Sequence, residues 1–229
     1  MKKQLVFILS ITILSCSNMV YAQKDRFFTL GVKAGLTVTT LAGFDQTDYP
    51  GKTHAKIKPT AGITTDFSIS NQWSILSGLE YLTKNAGTGM ESGDLTITIP
   101  HYTTKYLQLP IHIGYKLRMT EDSKIVFHVG PYLAYGIEGE IKWKDVDTRL
   151  FHYMDPFEKQ LLDRFDYGIG VGITIDKNNF AFSIGYDHGV KNLAKSGFYF
   201  PDRPNIDTKE ISVHTRCFQA TIGWKFRQL

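Results

Sequence analysis

Apolar and polar residues alternate at every second position over much of this chain, the period of a β-strand. Eight stretches carry the pattern: approximately 27–38, 57–69, 73–84, 102–117, 124–138, 165–176, 179–190 and 210–227. The first sets Phe28, Leu30, Val32, Ala34, Leu36 and Val38 against Thr29, Gly31, Lys33, Gly35 and Thr37. The sixth sets Tyr167, Ile169, Val171, Ile173 and Ile175 against Asp166, Gly168, Gly170, Gly172 and Thr174. The third is the least regular, because Leu76 and Leu82 fall on its polar side. The connections alternate in length. Long segments lie near 39–56, 85–101, 139–164 and 191–209, and short turns fall at 70–72, 118–123 and 176–178.

That asymmetry predicts an all-β fold, an eight-stranded antiparallel transmembrane β-barrel with short periplasmic turns and long external loops. Eight strands enclose an interior that side chains only just fill. The face rich in Gly, Ser and Thr suits that lumen, and the face of Leu, Ile, Val and aromatics then meets lipid. Trp73, Tyr81, Tyr115, Tyr186, Trp224 and Phe226 are candidates for interfacial girdles. Pro59, Pro110 and Pro131 sit inside expected strands, where a closed barrel has no free edge. Bulges are the expected accommodation, and shifts of apolar parity near Tyr106–Leu107 and between Val213 and Phe218 suggest two more.

The first 22 residues read as a targeting segment. Lys2 and Lys3 precede an apolar run from Leu5 to Leu14, too short for a membrane helix, which needs about 20 apolar residues. Val20-Tyr21-Ala22 presents small residues for cleavage between Ala22 and Gln23, giving a barrel domain over 23–229. Cys16 within Ile13-Leu14-Ser15-Cys16 is a rival site, which would make the protein a lipoprotein. The formal charge of +4, or +2 without the two leading lysines, is too mild to imply nucleic acid. Of the two cysteines only Cys217 survives cleavage after Ala22, so no internal disulfide is expected.

Four segments resemble the PorT-type outer-membrane β-barrel proteins of Gram-negative bacteria. They are Gly31-Val32-Lys33-Ala34-Gly35-Leu36, Tyr106-Leu107-Gln108-Leu109-Pro110-Ile111, Gly130-Pro131-Tyr132 followed by Tyr135, and Gly223-Trp224-Lys225-Phe226. The chain departs from many barrels in continuing with Arg227-Gln228-Leu229 after its last aromatic. The resemblance implies a barrel and an outer-membrane address. It implies no activity common to all members, some of which are linked to protein secretion.

No catalytic constellation emerges. Asp187 and His188 are adjacent and so point to opposite faces; Ser183 lies mid-strand, without the strand-to-helix turn of a nucleophile elbow. Gly168, Gly170 and Gly172 repeat strictly by two with no helix following, unlike a nucleotide loop. His112 and His128 fall on the interior face of neighbouring strands, within reach of each other across a hairpin. A metal would need a third ligand that the sequence does not identify. Lys33, Lys58, Asp66, Glu80, Lys116, Asp166, Asp187 and Lys225 also face inward and must pair, which predicts a plugged interior. In the third long loop Asp155, Pro156 and Glu158 form a capping pattern that predicts a short helix. Its face of Phe157, Leu161, Leu162 and Phe165 would cover the barrel rim or dock a partner, with Phe157, Leu161 and Phe165 as the docking candidates.

The expected function is non-enzymatic, structural or interactive through the external loops. No cofactor or metal is expected, outer-membrane lipid is the surrounding phase, and a protein partner would meet the loops. The alternatives are a narrow channel or secretion-linked accessory barrel, and a lipid-modifying barrel enzyme.

Overall fold

The computed structural model describes residues 28–42, 52–54, 56–89, 101–144, 150–195 and 212–226. The cleavage site at Ala22 and Gln23, and Cys16, lie outside the described residues. Among those described are ten strands: β1 (Phe28–Ala42), β2 (Lys52–His54), β3 (Lys56–Ser68), β4 (Trp73–Gly89), β5 (His101–Arg118), β6 (Ser123–Lys144), β7 (Phe151–Met154), β8 (Phe165–Lys177), β9 (Phe180–Gly189) and β10 (His214–Lys225). Eight of them run antiparallel around the cycle β1-β3-β4-β5-β6-β8-β9-β10, and β10 pairs with β1 to close the barrel. The short strands β2 and β7 add to β4 and β6.

Alternation sorts the side chains as the pattern predicts. Along β8 every even residue from Asp166 to Asp176 is buried or half-buried, while Phe165, Tyr167, Ile169, Val171, Ile173 and Ile175 are exposed. Val171 is 48% and Ile184 57% exposed, whereas Asp166 is 0% and Glu80 3% exposed. Large apolar groups outside and charged groups inside invert the order of a soluble protein and fit a wall facing hydrocarbon. Directly paired aromatics ring the short-turn end: Phe28 with Phe67, Trp73 with Tyr115 and Phe180 with Trp224, at centroid distances of 4.8, 5.1 and 4.7 Å.

The prolines are accommodated without the expected bulges. Register is constant through Pro59 against β1 and through Pro131 against β8. The β4–β5 ladder instead skips the rungs beside Pro110, passing from Ser77–Ile111 to Glu80–Gln108. The β5–β6 ladder skips those beside Pro131, passing from Pro110–Tyr132 to Ile113–Val129. A proline removes one donor from one neighbour only, so a local gap suffices. One register shift is present in β5–β6, between Lys105 and Tyr106, and the residue passed over is Ile137 on β6. No shift falls between His214 and Phe218, where the β1–β10 register is continuous.

The predicted loop helix is also corrected. Residues 156–160 form hydrogen-bonded turns. Asp155 caps as expected, accepting from Phe157 N–H at 2.7 Å. The chain then enters the left-handed region at Gln160, with φ 56°, so the turn cannot propagate into a helix.

Candidate functional site

The lumen is divided into a polar zone and an apolar plug. Most of its charges are tied by close pairs between strands distant in sequence, but Asp187, expected to pair with a cation, meets among the described residues only the amides of Gln108 and Gln219. Lys33 Nζ meets Glu80 Oε1 at 2.6 Å, and Lys116 Nζ meets Asp66 Oδ1 at 3.1 Å. Lys225 Nζ lies 2.6 Å from Asp176 Oδ2 and 3.9 Å from Asp66 Oδ2. Nearer the long-loop end, Lys84 Nζ lies 2.6 Å from Asp166 Oδ2, both almost wholly buried. The hydroxyl of Thr215 donates to the same oxygen at 2.9 Å, and the Tyr106 and Tyr132 rings flank the ammonium at 4.8 and 5.0 Å. Lys84 and Asp176 were missed by the sequence reading because both lie at the ends of the expected strands. Parity alone places each of them inside.

His112 and His128 are brought together. Their Nδ1 atoms are 2.9 Å apart and their rings stack with centroids at 5.1 Å. Thr174 Oγ1 lies 3.4 Å from His128 Nε2 and 2.8 Å from Ser183 Oγ. The glycines of β8 make this possible: a Cβ at Gly172 would stand 2.5 Å from His128 Cε1, and one at Gly170 would collide with Asp187 Oδ1. Asp187 points inward and His188 outward, as strand parity requires. Among the described residues no group of three metal-ligating side chains converges.

Above the Lys84–Asp166 pair the lumen turns apolar. Leu82, Tyr106, Tyr132, Ala134, Ile141, Phe157, Leu161, Leu162, Leu193 and Val213 form one buried cluster. The turn at 156–162 therefore folds into the barrel mouth. Phe157 and Leu161 are 5% and 3% exposed, whereas Phe165 projects outward from β8 at 42%. The three residues expected to share a docking face do not share one, because Phe165 already belongs to the strand and its odd parity faces lipid. The plug is stitched to the segment before β10. Asp163 N–H donates to Leu193 O at 2.9 Å, Lys195 N–H to Leu161 O at 3.0 Å, and Leu193 N–H to Val213 O at 2.9 Å. Lys191 Nζ holds Asp163 Oδ2 at 2.7 Å. Partial burial pushes the Asp163 carboxyl up, but Lys191 and the Phe165 N–H outweigh it and hold it below the ordinary range. That ion pair thus persists at neutral pH and is lost only on acidification through the lowered value.

Residues 21–195 match the outer membrane protein β-barrel domain family. The chain belongs to that family. Its location is the outer membrane, and the apolar wall of β1 to β10 is the surface that lipid meets. No curated protein sequence matches the chain significantly. Among solved structures it is similar to Ail, the attachment invasion locus protein of Yersinia pestis, crystallised with the heparin analogue sucrose octasulfate. Identity is 11% and the TM-score 0.43, over 87% of this chain and 99% of that one. It is also similar to Neisserial surface protein A, at 10% identity and TM-score 0.42 over 86% and 97% of the two chains. OprG from Pseudomonas aeruginosa gives 10% identity and TM-score 0.42 over 87% and 96%.

Proposed function

We propose that the protein is a non-enzymatic, non-conducting outer-membrane barrel that acts through its long-loop end. The observation carrying this reading is the two-zone lumen: paired charges below, and an apolar plug of Phe157, Leu161, Leu162, Leu193 and Val213 above. A pore needs a continuous wet path, and the buried plug interrupts it. Among the described residues, the β6–β7 hairpin presents Tyr153, 58% exposed, at the long-loop end. The narrower PorT-type membership rests on the four segments that resemble it, which lie on β1, β5, β6 and β10. Export with cleavage between Ala22 and Gln23, and an external position for the long loops, complete the reading. Planar-bilayer recording of the refolded barrel tests it. No resolvable single-channel current is expected, and a reproducible ohmic channel would replace this reading with the narrow-channel one.

A further inference from the structure

Asp187 stands apart from the other buried lumen carboxylates. Asp66, Glu80, Asp166 and Asp176 each have a lysine ammonium within 3.1 Å. Asp187 is 2% exposed, and among the described residues its side-chain partners are two neutral amides. Gln108 Nε2 donates to Oδ2 at 2.8 Å and Gln219 Nε2 to the same oxygen at 3.3 Å. An ionised carboxylate held this way in a narrow lumen carries an uncompensated buried charge, which is strongly disfavoured.

The group that could compensate it is close by. A side chain at Gly170 would touch both Asp187 Oδ1 and His112 Nε2, so these two atoms share one small space. His112 Nε2 is buried and has no hydrogen-bond partner in the protein. On the far side of the same ring, Nδ1 faces His128 Nδ1 at 2.9 Å. Two facing ring nitrogens at that distance need one proton between them, one nitrogen donating and the other accepting. The other groups facing the unit do not supply the missing charge. From β1 and β4 come Lys33 and Glu80, paired with each other, and Lys84 is paired with Asp166. From β8 and β9 come the neutral Thr174 and Ser183, from β10 the Gln219 amide and the buried Cys217 thiol paired directly opposite Asp187, and from β6 the Tyr132 phenol, none of which carries a positive charge.

We propose that Asp187, His112 and His128 form one buried proton-binding site, holding at neutral pH one proton more than an ionised carboxylate and two neutral imidazoles would. On His112 that proton makes Nδ1–H the donor to His128 and Nε2–H a second donor on the Asp187 side. On Asp187 it makes a carboxylic acid facing Nε2 as acceptor. Either placement neutralises the unit and gives the unpartnered nitrogen a role. Moving between them transfers one proton and changes no other bond. A cavity of about 100 Å³, with polar groups set into a largely apolar lining, lies against both histidines and extends past Glu80 to Thr29, Asp66 and Lys225 at the short-turn end. It offers water a route for protons from that side.

The test is side-chain magnetic resonance on the refolded barrel at neutral pH, with labelled histidine nitrogens and aspartate carboxyls assigned through His112→Asn and His128→Asn. Wild type should show either one imidazolium in the pair or a protonated Asp187 carboxyl. Asp187→Asn should lose both signatures and leave two neutral imidazoles. An ionised Asp187 beside two neutral imidazoles in wild type would overturn the proposal, and sequential backbone-to-side-chain assignment of the wild-type protein reads this even if the asparagine variants do not fold. An imidazolium persisting in the pair in Asp187→Asn would overturn the part assigned to Asp187.

Discussion

Inside a barrel this narrow, a large side chain is present only where a facing residue leaves room. Gly172 leaves room for His128, with a built Cβ only 2.5 Å from Cε1 and 2.9 Å from Ile184 O. Gly172→Val should therefore displace the ring and destabilise the barrel by about 1–3 kcal/mol in urea unfolding. Gly185 differs, since its nearest neighbours stand at 3.4 and 3.5 Å. Gly185→Ala should change stability by less than about 0.5 kcal/mol, and equal losses at the two sites would refute the crowding argument. Charge follows the same residue-level logic. Lys84→Met strands Asp166, whose Oδ1 already lacks a hydrogen-bond partner in the protein, and should cost about 3–5 kcal/mol. Replacing both as Lys84→Met with Asp166→Leu should recover most of that loss. A double variant no better than the single one would show that Thr215 and Tyr132 need the carboxylate more than the lysine does.

The elements were legible where one rule governed a whole strand. β8 and β9 have one apolar and one small or polar face, and their bounds fall within a residue or two of those expected. The reading weakened where the lumen changes character. Leu82 and Val213 look like parity errors or bulges in the sequence, yet both point inward on schedule and are buried in the plug; Tyr106, also buried there, does sit beside a register shift, as its sequence suggests. A polar-inside rule cannot anticipate an apolar upper lumen, because the partners that make it apolar come from the distant 156–162 turn and from Leu193. The histidine pair was legible from parity and hairpin length alone. The special position of Asp187 was not, since it depends on which lysines the other carboxylates take. The loop helix failed at Gln160, whose left-handed backbone ends the turn after Asp155 has capped it. Gln160→Gly should relieve that conformation and raise stability by about 1 kcal/mol. Phe157→Ala should lose about 3–5 kcal/mol, because its ring packs edge-on against Tyr106 at 6.0 Å inside the plug. A neutral Phe157→Ala would mean that the turn merely rests on the rim.

At the scale of the whole molecule, the non-conducting reading proposed above rests on two layers in series across the lumen. The outer one is the plug, and the inner one is the layer where Lys84, Asp166, Thr215 and Tyr132 are joined by bonds of 2.6 to 3.4 Å. They fail by different means. Serine in place of Phe157, Leu161 and Leu162 removes the apolar contacts that exclude water from the mouth, and wets the barrel as far as Tyr132. Below that level the ion pair between β4 and β8 still spans the lumen, flanked by two tyrosine rings. A hydrated ion would have to displace paired charges that are held from opposite walls. The triple-serine variant should therefore lose stability yet remain silent in bilayer recordings. Adding Lys84→Ser and Asp166→Ser removes the second seal, and only this combination should pass current. The path would then run down to the cavity beside His112 and out past Lys225. Current from the triple-serine variant alone would show that the plug is the sole seal. A silent combined variant that keeps its heat-modifiable mobility would place the barrier lower, among Lys33, Glu80 and the histidine pair.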